Sequence, residues 1–151
     1  MPIDLDASYA GECVDRTKEV ADKLRGGEAA HHGHIIVGNI CVYEEKLTTP
    51  VPLKGNTDGK NCQHQVVMIA PGGSPNPRDF CVCDPTYDPP ARDDPLSRLV
   101  SLGGYIRAYM ALLDTEQVKP DVVFVNLRKR DNEGIIPRDV HLFFTPGGEP
   151  C

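Results

Sequence analysis

Five runs dense in β-branched and aromatic residues, at 34–43, 64–70, 79–84, 121–127 and 140–145, limit what this chain can fold into more than any other feature of it. Residues of these types favour the pleated, half-buried surface of a sheet. The intervals between the runs carry turn chemistry. Pro71-Gly72-Gly73-Ser74-Pro75 separates the second run from the third, and Pro85 stops the third. The runs 64–70 and 79–84 read as an antiparallel hairpin with a wide loop. A second hairpin joins 121–127 to 140–145 across the charged turn 128–138. The polar stretch 48–61, which bears Pro and Gly, reads as a long loop with room for one short edge strand.

Two segments have helical periodicity instead. In 12–25, Cys13, Thr17, Val20, Ala21 and Leu24 recur at helical spacing among charged residues, and Gly26-Gly27 follow as a C-terminal cap that tolerates a left-handed residue. Pro89, Pro90 and Pro95 make a rigid connection. After it, Leu96, Leu99, Gly103, Ile106, Met110 and Leu113 recur every three or four residues, which predicts one long helix over 96–113. Gly103-Gly104 within it imply a close helix-to-sheet contact or a kink, and 146–151 reads as a frayed tail. The expectation is an α+β fold in a single domain, 1–151: two helices against an antiparallel sheet of about five strands.

With 151 residues, one domain suffices. Twenty-two acidic against 16 basic residues give a net charge of -6, which argues against nucleic acid as a partner. No apolar run approaches a membrane span, and Met1-Pro2-Ile3-Asp4 lacks the basic and apolar regions of a signal peptide. The expected location is the cytoplasm, or outside the cell by export without a classical signal. The six cysteines, at 13, 41, 62, 81, 83 and 151, lack the spacing of a disulfide framework and read as free thiols.

One set of residues carries chemistry. A thiol becomes nucleophilic when its pKa falls, and the unpaired N–H groups and positive dipole end of a helix N-terminus lower it. Cys13 occupies such a position, and its own N–H is suited to half of an oxyanion hole. The thiolate needs a base, and His64 stands at the opening of an apolar strand, facing the helix terminus. The imidazole needs its ring and tautomer held, and Asp84, at the end of the next strand, is placed to accept its second N–H. Tyr9, Gln63 and Gln65 are candidates for the second oxyanion donor.

In this order the residues resemble the transglutaminase-like branch of the papain-like superfamily. Gly11-Glu12-Cys13 looks like that family's helix start. His64-Gln65-Val66-Val67-Met68-Ile69 looks like its His-plus-apolar strand, and Asp84-Pro85-Thr86 like its Asp-Pro-Thr turn. The likeness covers about residues 11 to 87. It implies a papain/transglutaminase-like core in which Cys13, His64 and Asp84 are nucleophile, base and orienter of a thioester-forming acyl transfer. Glutamine deamidation, peptide cleavage and transamidation share that acyl-enzyme. The substrate is then a protein or peptide, and no cofactor is required. Small domains of this kind look like bacterial effectors or toxins.

Two other classes compete. Cys62, His64, Cys81 and Cys83 could hold zinc in a non-catalytic binding module, and a degenerate triad would leave an immunity or scaffold protein. Elsewhere the plainer reading is structural. Cys41 lies mid-strand, His31, His32 and His34 read as a solvated loop, His141 as a structural residue, and Arg128-Lys129-Arg130 as a solvated turn.

Overall fold

The computed structural model describes residues 13–27, 33–44, 49–50, 64–71, 76–113 and 122–150. Helix α1 is Cys13–Arg25 and α2 is Leu102–Leu113; the strands are β1 Gly33–Glu44, β2 Thr49–Pro50, β3 His64–Pro71, β4 Cys81–Cys83, β5 Val100–Ser101, β6 Val122–Leu127 and β7 Val140–Phe144. Every pairing is antiparallel. The order across the sheet is β5-β4-β3-β1-β6-β7, with β2 paired to β1. The class is α+β, as expected, but six strands rather than about five lie along the sheet, and the two residues of β2 are added at the end of β1.

The sheet separates two apolar layers, and β3 shows how. Side chains alternate along a strand, so Val66, Met68 and Ala70 join a core with Leu102, Tyr105, Ile106, Tyr109 and Met110 of α2. Val67 points the other way, into a core with Val20, Ala21 and Leu24 of α1. Strand β1 alternates in step, because Ile36 pairs with Met68 and Val37 with Val67. One helix therefore covers each face. This explains why β3 is apolar without alternation: both of its faces are dry.

Three features depart from the sequence reading. The predicted helix 96–113 is divided: Pro95–Arg98 is a 3-10 turn, Val100–Ser101 is β5, and α2 begins only at Leu102. Ser101 causes the late start by capping, since its Oγ accepts the Gly104 N–H at 3.0 Å. Leu96, outside the helix, is accordingly exposed. At the end of α1, Gly27 N–H closes on the Leu24 carbonyl at 3.1 Å, and neither Gly26 nor Gly27 is left-handed.

The third departure is the tail, whose residues 146–150 fold back as a bonded turn. Thr145 N–H bonds the Glu149 carbonyl at 2.8 Å, and Pro150 bridges back to Phe144. The turn is left-handed at Gly148, with φ 85°, and Gly148 lies directly on Gly103 at the start of α2. The Gly103-Gly104 contact anticipated with the sheet is thus made with this turn. A Cβ on Gly103 would meet the Gly148 carbonyl oxygen at 2.8 Å, a backbone atom that cannot rotate away.

Gly103→Ala is therefore expected to destabilise the chain by about 1–3 kcal/mol, read as a lower urea midpoint with an unchanged slope. An unaltered midpoint would mean that the C-terminal turn does not press on α2 in solution.

Candidate functional site

The Asp84-Pro85-Thr86 turn builds its own carboxylate cradle. Asp84 Oδ1 accepts the backbone N–H groups of Thr86 at 3.0 Å and Tyr87 at 3.1 Å, while the Asp84 carbonyl accepts Asp88 N–H at 2.9 Å. This is the local side-chain-to-backbone bonding to which aspartate is suited. The other oxygen, Oδ2, faces away from the turn. It meets His64 Nε2 at 2.8 Å and accepts the Tyr105 hydroxyl at 2.7 Å. His64, Asp84 and Tyr105 each expose 1% or less of their surface, so the whole group is sealed from bulk water.

Burial alone would raise the Asp84 pKa. The charge of His64, the hydrogen bonds from His64 and Tyr105, and the Tyr87 N–H outweigh it and hold the carboxyl below its usual range. Tyr105 is pushed the opposite way, by burial and then by the Asp84 charge, so it stays protonated and donates. An ionised Asp84 can only accept, which makes His64 Nε2 the donor in their bond. The second ring nitrogen, Nδ1, is then the one suited to take a proton. The ring stacks on Tyr87, centroids 4.4 Å apart, and lies nearly parallel to Tyr109 at 5.8 Å.

His64 and Asp84 are thus brought together as the sequence reading expected. The direction of His64 is different. It shares a face of β3 with Val66 and Met68 and turns toward α2, whereas α1 packs on the opposite face. The side chain of Cys13 lies outside what the structure describes; its backbone opens α1.

Two bonds fix where that opening comes. Thr17, one turn on from Cys13, donates its hydroxyl to the Gln65 carbonyl at 3.0 Å. Arg25, at the far end of α1, donates to the Ile35 carbonyl at 3.2 and 3.0 Å, and Ile35 is paired with Ile69. Helix α1 therefore runs along β3 in the strand's own direction, with Cys13 at the His64 end. At that end the sheet is notched, because β4 stops at Cys83 opposite Val67, three positions short of His64.

The same alternation tests the zinc set. Cys83 lies in the α1-side core and Cys81 shares its direction, whereas His64 points to the other face with Nε2 committed to Asp84. Those three side chains cannot converge on one ion, and Cys62 lies outside the described residues. Among the described residues, no three His, Cys, Asp or Glu side chains gather as metal ligands. Burial pushes the Cys83 thiol up to about 12, with Asp84 and Asp88 adding to the effect, so Cys83 is a packing residue.

Of the remaining candidates, Tyr9, Gln63, His31 and His32 lie outside the described residues. Gln65 is buried on the α1 face. Exposed His141 meets the Phe124 ring edge-on at 5.2 Å. Lys129–Asp131 form a 3-10 turn in which Arg128 Nε meets Asp131 at 2.7 Å. Among the described residues no helix is long and apolar enough to cross a membrane.

The sequence reading missed Tyr87, Tyr105 and Tyr109. A signal existed. Tyr105 and Tyr109 are four residues apart, hence on one face of a helix, and Tyr87 directly follows the Asp84-Pro85-Thr86 turn.

Because Asp84 is held ionised below the ordinary carboxylate range, its contribution to stability is complete above that range. It is lost as pH falls through the folded value. Asp84→Asn should lower the unfolding free energy at pH 7 by about 3 kcal/mol, and the gap to the parent chain should narrow below pH of about 4. Urea unfolding at pH 7 and pH 3 measures this; an equal gap at both values would show that Asp84 is not ionised in the fold.

No protein-family model, no curated protein and no solved structure matches this chain.

Proposed function

We propose that the chain is a cysteine-dependent acyl-transfer enzyme of papain/transglutaminase-like type, with Cys13 as nucleophile, His64 as base and Asp84 as the residue that orients the base. The observation that carries this reading is the sealed His64–Asp84 pair. A buried carboxylate with every acceptor position used, aimed at one imidazole nitrogen, is costly to build for structural ends alone. It is what a base needs to keep one tautomer. Its position at the sheet end where α1 begins supplies the second support, since the N-terminus of a 13-residue helix lowers the pKa of a thiol there.

In the proposed reaction the Cys13 thiol gives up its proton to His64 Nδ1. The thiolate attacks an amide carbonyl carbon of a protein or peptide. The C–N bond breaks as the imidazolium returns the proton to the leaving ammonia or amine, and a thioester remains. Water or an amine then displaces the sulfur. Deamidation, peptide cleavage and transamidation differ only in the groups that leave and enter, and none of them needs a cofactor. The acidic surface suits a protein substrate better than a nucleic acid. An effector or toxin acting on proteins of another cell, made in the cytoplasm or exported without a classical signal, is the biological setting this chemistry fits.

The test is brief treatment with substoichiometric iodoacetamide from pH 5 to 9, with the labelled cysteine mapped by mass spectrometry. At pH 6, Cys13 should label on the order of 100 times faster in the parent chain than in His64→Ala, the difference between an activated and an ordinary thiol. Slow, uniform labelling of all six cysteines, unchanged in His64→Ala, would remove the enzyme reading.

A further inference from the structure

The Oδ1 atom of Asp84 is held by its own turn, through the N–H groups of Thr86 and Tyr87. Among the described residues, rotation about the carboxylate is restrained at Oδ2 by His64 Nε2 and the Tyr105 hydroxyl, and both act on the same oxygen. The base alone cannot fix the group that is supposed to fix the base. A donor from a third, independently anchored element can.

Helix α2 is such an element. The Ser101 cap sets its start, Leu102 N–H donates to the Phe80 carbonyl at 3.0 Å just before β4, and Gly148 packs on Gly103. Those contacts set α2, and with it Tyr105, relative to the strand that carries Asp84. The Tyr105 ring is also held, by stacking on Tyr109 with centroids 5.8 Å apart. Its hydroxyl is thus delivered to Oδ2 from α2, an element other than the strand that carries His64.

We propose that Tyr105 is a positioning residue of this site: its hydroxyl holds the Asp84 oxygen that receives His64, and thereby keeps the Nε2–H tautomer and leaves Nδ1 to take the proton. This rests on the acyl-transfer reading above and extends it to a fourth residue, one that acts through Asp84. The titratable groups around the Asp84 carboxylate are His64 from β3, Cys83 from β4, Tyr87 and Asp88 from the following turn, and Tyr105 from α2. Of these, Tyr105 is the one whose hydroxyl donates to the carboxylate, and Tyr105→Phe removes that hydroxyl while keeping the ring.

The experiment compares the parent chain with Tyr105→Phe by two readouts. Imidazole nitrogen NMR follows the His64 Nε2–H, and the iodoacetamide profile follows Cys13. Removing a donor makes the carboxylate easier to protonate. The pH at which the Nε2–H signal is lost on acidification should therefore rise by about one unit. The acid limb of Cys13 labelling should rise with it, and solvent exchange of Nε2–H should quicken about tenfold. A merely structural tyrosine would lower the unfolding midpoint and move none of these. An unchanged Nε2–H signal and exchange rate in Tyr105→Phe overturn the assignment. If instead Cys13 in the parent chain labels like an ordinary thiol, the acyl-transfer reading fails, and the NMR arm alone still decides whether Tyr105 positions His64. Should Tyr105→Phe not fold, the parent chain decides. A slowly exchanging Tyr105 hydroxyl proton, with a cross-peak to the His64 ring and lost together with Nε2–H on acidification, supports the assignment, and its absence overturns it.

Discussion

A buried carboxylate must find its donors inside the fold, because the loss of water costs several kcal/mol that only hydrogen bonds and opposite charge can offset. Asp84 is that carboxylate here. Its donors come from its own turn, from the first residue of β3 and from the first turns of α2. The three pieces of chain must therefore arrive in one relative placement. The tyrosines that line the group complete the seal, and they keep the environment apolar enough for each remaining hydrogen bond to be strong.

Around that point the sheet acts as a partition. Helix α2 and the aromatic wall lie on one side, α1 on the other, and β3 supplies apolar side chains to both. The partition is notched at the His64 end of β3, where β4 stops early, and the Thr17–Gln65 bond brings the opening of α1 to the same end. Away from the site, similar economy of bonding anchors the other end of α1. Asn132, fully buried, takes Val37 N–H at 2.7 Å and gives its own amide to the Val37 carbonyl at 3.0 Å, extending the ladder of β1 beyond β6 with a side chain. Arg25 joins the same cluster through Asn132 Oδ1 at 3.1 Å.

The strands were legible because their signals are local. The run 64–70 corresponds to β3, His64–Pro71, and 140–145 to β7, Val140–Phe144. The periodicity at 96–113 misled, because a spacing of three and four also accommodates a 3-10 turn, a two-residue strand and a helix set end to end. The cap at Ser101 decides the boundary. Gly103 was recognised as a site of close approach, but not its partner. Gly148 is 45 residues away in sequence, and nothing in a turn-like tail states what it touches.

By itself the sequence determined which residues could form the site's polar core. Asp84-Pro85-Thr86 folds a carboxylate onto its own backbone, and His64 opens an apolar strand; both are short-range consequences of residue type. Only the tertiary structure decided the direction in which His64 points and the third residue that holds Asp84. Strand alternation assigns faces only relative to one another, and the helix that covers each face is chosen by packing of the whole core. Tyr105 follows for the same reason. Its hydroxyl finds Asp84 because α2 covers the His64 face, a choice made by long-range burial rather than by any neighbour in the chain.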